Sequence, residues 1–108
     1  MKDDGVYLAQ ILDSVEKVES FVGDLNKDQF LIDQKTQSSV IMQLALIGEL
    51  TKKISPETKI KIDLPWKDIA GFRDNAIHNY FEIDLEVVWQ TIIDDLPLLK
   101  LALSNYSK

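Results

Sequence analysis

The chain contains no cysteine, which excludes disulfide staples and thiolate metal ligands and fits a reducing compartment. It has a single histidine and, among twelve basic residues, a single arginine. Any chemistry that needs either side chain therefore has one address per chain. No apolar run approaches the roughly 20 residues that span a bilayer. The opening Met1-Lys2-Asp3-Asp4-Gly5 is too acidic and polar for a secretion signal. The expected setting is the cytoplasm, with no membrane partner. Period-two alternation, internal repeats and linker-like stretches are missing as well, which argues against sheets and against a second domain. There is no excess of positive charge either. A net charge of −6 is wrong for a protein that coats nucleic acid through its overall field.

What is present is ordinary globular material. The 108 residues are 45% hydrophobic and 28% charged, enough for one domain with its own core. The charge is unevenly spread. Six of the twelve basic residues (Lys52, Lys53, Lys59, Lys61, Lys67 and Arg73) fall within 52–73, beside only three acids, Glu57, Asp63 and Asp68. A locally basic middle in an acidic chain suits a small anionic site, although a plain solvated face would look the same.

Helical spacing predicts four main helices. The first carries Tyr7, Leu8, Ile11, Leu12, Val15, Val18, Phe21 and Val22 on one face and stops at Gly23. The second runs from near Asp28 to about Ile54. Its centre, residues 40–50, is apolar on more than one face, as expected of a helix buried between neighbours. Ser55-Pro56 closes it. A lysine-bearing connector over 57–64 leads to Pro65-Trp66, where proline suits the first turn of a third helix bearing Ile69, Phe72, Ala76 and Ile77. The last helix is capped by Asp84. Its expected core face includes Leu85, Val88, Trp89, Ile92, Ile93 and Leu96, continuing through Leu98, Leu99, Leu101 and Leu103 past a kink at Pro97. The expected fold is all-α: one domain over 1–108, an up-and-down antiparallel bundle with its last helix kinked.

The chemically informative run is Gly71-Phe72-Arg73-Asp74-Asn75-Ala76-Ile77-His78-Asn79-Tyr80-Phe81. Arg73 and His78 are five positions apart, so a regular helix sets them about 140° apart around its axis. Three routes bring them together: a helix that loosens near Asn79, an arginine that reaches around, or a second subunit that supplies one of the two. Together they suit cleavage of RNA. Histidine titrates near neutral pH and can take the proton of a ribose 2′-hydroxyl. The permanently cationic guanidinium can hold the scissile phosphate and offset its developing charge. Attack by the 2′-oxygen needs no metal or cofactor and leaves a 2′,3′-cyclic phosphate. The same hydroxyl restricts the reaction to RNA, so DNA is not an expected partner. One histidine cannot be base and acid at once, and a two-fold dimer would bring two such runs to one cleft. The residue types alone also fit a histidine that caps a helix end and an arginine paired with Asp74.

Arg73-x4-His78-x-Tyr80, with a polar residue directly after the arginine, resembles the signature of HEPN domains. Ile47-Gly48-Glu49, Leu64-Pro65-Trp66-Lys67-Asp68-Ile69, Tyr80-Phe81-x-Ile83-Asp84-Leu85-Glu86-x-Val88-Trp89 and Asp95-Leu96-Pro97-Leu98 resemble the HepT-like branch in the right order across the chain. The resemblance implies a homodimeric, all-helical ribonuclease toxin of a type VII-like toxin–antitoxin pair, with Arg73 and His78 as the catalytic pair and Asp74 as the polar position between them. It also implies an antitoxin partner, a minimal nucleotidyltransferase of the MntA type, able to attach AMP to Tyr80. Asparagine is the usual residue after the arginine in this branch; here it is Asp74, followed by Asn75, and an acid there can weaken the arginine's hold on phosphate. Glu49 either orients Arg73 across the bundle or faces solvent. Lys52, Lys53 and Lys67 are candidates for RNA phosphate contacts, and Trp66 and Trp89 read as packing anchors. The rival readings are a non-catalytic helical module that binds a nucleotidyltransferase or a nucleotide, and a dimerisation domain without a ligand.

Overall fold

The structure, a computed structural model, describes residues 3–78 and 80–106, without the side chains of Arg73, Asn75, Ala76, Ile77, His78 and Tyr80. Helix α1 (Asp4–Val22) starts where the Asp3 carboxylate accepts a hydrogen bond from the Gly5 N–H, and stops at Gly23, whose φ of 52° favours glycine. Leu8, Ile11, Val15, Val18 and Val22 recur at helical spacing and are buried. As expected, the chain is all-α: among the described residues there is no strand.

The second predicted helix is two. Asn26 and Gln29 form a reciprocal capping box, each side-chain oxygen accepting the other's backbone N–H at 2.9 Å, and open the short α2 (Lys27–Leu31). Two residues on, Asp33 caps α3 (Gln34–Thr51) by accepting from the Thr36 N–H at 3.1 Å and its hydroxyl at 2.8 Å. Two side-chain caps in quick succession offer the backbone better local partners than a continuous ladder, so the break falls at Ile32. The expected connector is also partly helical. Ser55 caps α4 (Pro56–Lys61), with Pro56 in its first turn.

Helix α3 packs against both α1 and α5 (Trp66–His78), which is why its apolar residues are not confined to one stripe. Helices α1 and α3 run antiparallel: Asp4, at the start of α1, accepts hydrogen bonds from Ser55 and Thr58, just beyond the end of α3. A single 3-10 turn (Tyr80–Glu82) follows α5. Asp84 then caps α6 (Leu85–Gln90), accepting from the Glu86 N–H at 2.9 Å. Trp89 on α6 lies against the buried Phe30 ring of α2, centroids 5.3 Å apart.

Beyond Gln90 the ladder widens into a π turn (Thr91–Asp95) before α7 (Leu96–Tyr106), and the Leu96 N–H bonds the Thr91 carbonyl five residues back. Pro97 supplies the reason: it has no N–H to give, and its ring crowds the carbonyl four residues earlier. Val88, Ile92, Leu96, Leu99 and Leu103 recur at helical spacing through the wide turn and face the core, whereas Ile93, Leu98 and Leu101, expected inside, fall on other faces and are 49%, 63% and 59% exposed. Among the described residues, no helix is long and apolar enough to cross a membrane.

Candidate functional site

The helix that carries the chemical run is fixed at its first turn. The Trp66 indole N–H is shared between the Lys59 carbonyl at 3.1 Å and the Ile62 carbonyl at 3.0 Å, tying the closing turn of α4 to the start of α5. Ile69 is buried and Phe72 half-buried on the next turn. The α5 backbone then stays α-helical through His78. No loosening separates positions 73 and 78 within the helix, so one chain presents them about 140° apart. Positions 74 and 78 are one turn apart on the same face.

The side chains of Arg73, Asn75, His78 and Tyr80 lie outside the described residues. Asp74 is described and exposed, and it accepts a 3.0 Å ion-paired hydrogen bond from the Lys52 ammonium. Lys52 is the C-cap of α3, a position where the helix dipole also favours a cation. The structure therefore joins two of the predicted site residues across the α3–α5 contact. Lys53, its neighbour, points the other way, its ammonium 5.7 Å from the centre of the Tyr7 ring on α1. Lys67 is exposed in the first turn of α5, several turns before His78, and Glu49 is half-buried on α3. The two lysines thus serve different neighbours, Lys52 reaching Asp74 on α5 and Lys53 the Tyr7 ring on α1.

Two features escaped the reading of the sequence. The first is a cavity of about 420 Å³ between the start of α5 and α7, with Ile69, Phe72 and Leu99 among its apolar walls and Asp63, Asp68 and Asp95 as its charged ones. Partial burial, then the neighbouring Asp94 and Asp68 carboxylates, hold the Asp95 carboxyl above its ordinary range. The strings around Leu64 and Leu96 were visible, but not that they face each other. The second is the clasp at Asp4. Hydrogen bonds from the Ser55 and Thr58 hydroxyls hold its carboxyl below the ordinary range. The Ser55-Pro56-Glu57-Thr58 cap was a usable signal for it. Among the described residues no group of three histidine, cysteine or acidic side chains could hold a metal ion.

A small all-helical bundle carrying Arg-x4-His-x-Tyr at the end of an unbroken helix has the architecture and the motif of a HEPN-type domain. More narrowly, the chain belongs to the ribonuclease HepT-like family, whose model matches residues 11–105. It is 40% identical over 95 residues to a protein of Thermococcus cleftensis named "Probable ribonuclease HepT", covering 87% of this chain and 86% of that one. A Methanocaldococcus jannaschii protein named as an RNase is 38% identical over 97 residues, covering 89% and 80% of the two chains. A second protein of that organism, named as both a gamma-glutamylcyclotransferase and an RNase, is 37% identical over 100 residues, which are 92% of this chain but 45% of that one. No solved structure matches.

Proposed function

We propose that the protein is a metal-independent endoribonuclease that acts as the toxin of a toxin–antitoxin pair. The observation that carries this reading is the coincidence of a family match over residues 11–105 with Arg73, His78 and Tyr80 at the motif spacing, the first two on one continuous helix. His78 takes the proton of a ribose 2′-hydroxyl, the 2′-oxygen bonds to phosphorus, and the bond to the 5′-oxygen breaks. The products are a 2′,3′-cyclic phosphate and a 5′-hydroxyl. Arg73 holds the phosphate and offsets the charge that builds on its oxygens. Because α5 does not unwind between the two residues, its regular geometry supports a site shared by two copies, one chain's histidine acting beside the other's arginine. Neutralisation follows the same electrostatics. A nucleotidyltransferase antitoxin that attaches AMP to Tyr80 adds bulk and negative charge two residues beyond His78, on the run that carries the phosphate-binding Arg73.

The test is incubation of the purified protein with RNA in chelator, followed by analysis of the new ends. Cyclic-phosphate and 5′-hydroxyl termini are expected; no cleavage under any condition removes the enzymatic reading. A second reading, a non-catalytic module that binds a nucleotidyltransferase or a nucleotide, draws support from the Lys52–Asp74 pair, which neutralises a candidate phosphate contact. It predicts RNA or partner binding without cleavage.

A further inference from the structure

We propose that Asp74 is an anionic placeholder for RNA: its carboxylate parks the Lys52 ammonium beside the catalytic helix, and an incoming phosphate takes the ammonium over. The inference rests on the ribonuclease reading and adds a control on how tightly RNA is held. The two side chains meet at 3.0 Å and remain 40% and 54% exposed, so an RNA phosphate has open access to the pair. The partners come from different helices, 22 residues apart in sequence. Positions 74 and 78 share a face one turn apart, roughly 5–6 Å between Cβ atoms. A cation docked on Asp74 is thus held close to the position of the histidine that takes the proton of the ribose hydroxyl. Lys53 is drawn toward Tyr7 instead, which leaves Lys52 as the lysine of that pair facing α5.

The exchange has a thermodynamic signature. A lysine that binds an RNA phosphate normally releases a counterion, which makes binding weaken with salt. When the lysine leaves a carboxylate to do so, that carboxylate recovers a counterion atmosphere and much of the release is cancelled. Asp74 therefore weakens RNA binding and also flattens its salt dependence. It acts as a positioning residue through Lys52, not as a group that touches the reacting atoms.

The experiment measures binding of a mixed-sequence single strand carrying 2′-O-methyl groups, which block cleavage, across a salt series. Wild type, Asp74→Asn, Lys52→Ala and the double variant are compared, with helical content checked by circular dichroism. Asp74→Asn should bind roughly 1.5–5-fold more tightly at low salt, the range of one exposed ion pair. Its log–log salt slope should steepen by up to about 0.7, the value for one phosphate contact on a single strand. Both effects should vanish in the double variant. Unchanged affinity in Asp74→Asn overturns the proposal, and so does an equal gain without Lys52, which would reduce Asp74 to a diffuse repulsive charge. A parallel assay with cleavable RNA keeps the two levels apart. If wild type neither binds nor cuts RNA, the ribonuclease reading fails and takes the placeholder with it; if RNA is cut normally while the binding cycle shows no coupling, only the placeholder fails.

Discussion

Where it begins, α5 is held by an indole hydrogen bond and a buried Ile69, with the half-buried Phe72 a turn on, and faces a cavity whose charged walls are aspartates. Two turns later the same helix carries an exposed ion pair with Lys52, and after that the single histidine. One end is apolar, acidic and anchored, whereas the described contact at the other is an ion pair at the surface. The contrast shows how a short helix can serve as both beam and tool. Packing holds the first turns, while further along Asp74 is positioned by a charged partner and stays open to solvent.

Three substitutions probe that division, beginning at the chemical end. His78→Ala should lower the rate of RNA cleavage by about 100-fold or more, the scale of a lost general base, with helical content and thermal midpoint unchanged. A variant that cleaves RNA like wild type would remove His78 from the mechanism. At the opposite end, Ile69→Ala should cost about 2–5 kcal/mol in a denaturant titration, while cleavage per folded molecule stays near wild type. If activity falls in step with His78→Ala under conditions where the protein is folded, the two ends are not separable. Trp66→Phe keeps the ring and removes the shared N–H, so it should cost about 1 kcal/mol. A larger loss would mean that the indole anchors more of the α4–α5 junction than its two carbonyl contacts suggest.

The smallest effects are expected from pH. Asp95 holds its proton more tightly in the folded state than in the unfolded chain. Stability should therefore fall as pH rises from the ordinary carboxylate range to the raised folded value, with the deficit constant above it. Asp95→Asn should remove that fall and slightly stabilise the protein at neutral pH. Asp4 has the opposite sign: hydrogen bonds lower its folded value. Its contribution is present above the ordinary carboxylate range and is lost as pH drops through the lowered value, a loss that Asp4→Asn should abolish. Stability curves of the two variants that shift in the same direction would contradict this contrast.

Much of the fold was legible from punctuation. Gly23, Ser55-Pro56, Pro65-Trp66 and Asp84 mark boundaries because each fixes a dihedral angle or supplies a cap locally. The break between α2 and α3 was missed although the signals were equally local. Asn26 with Gln29 and Asp33 with Thr36 are caps, but the apolar residues on either side read as one period. The exposure of Leu98 and Leu101 was missed for a different reason. The stretch 92–103 holds more apolar residues than one helix face can cover, and Leu98 and Leu101 lie well off the line of Ile92, Leu96, Leu99 and Leu103. For the site, the order of Arg73, His78 and Tyr80 was legible because the motif is contiguous. That Lys52, and not Lys53, reaches Asp74 was not, since it depends on how two helices are rotated against each other.

The clasp between Asp4 and the Ser55-Thr58 corner also works against fraying. It ties the first turn of α1 to the chain 51 and 54 residues further on. A helix end that would otherwise be first to open is thereby fastened to the cap of α4, and neither can loosen without the other.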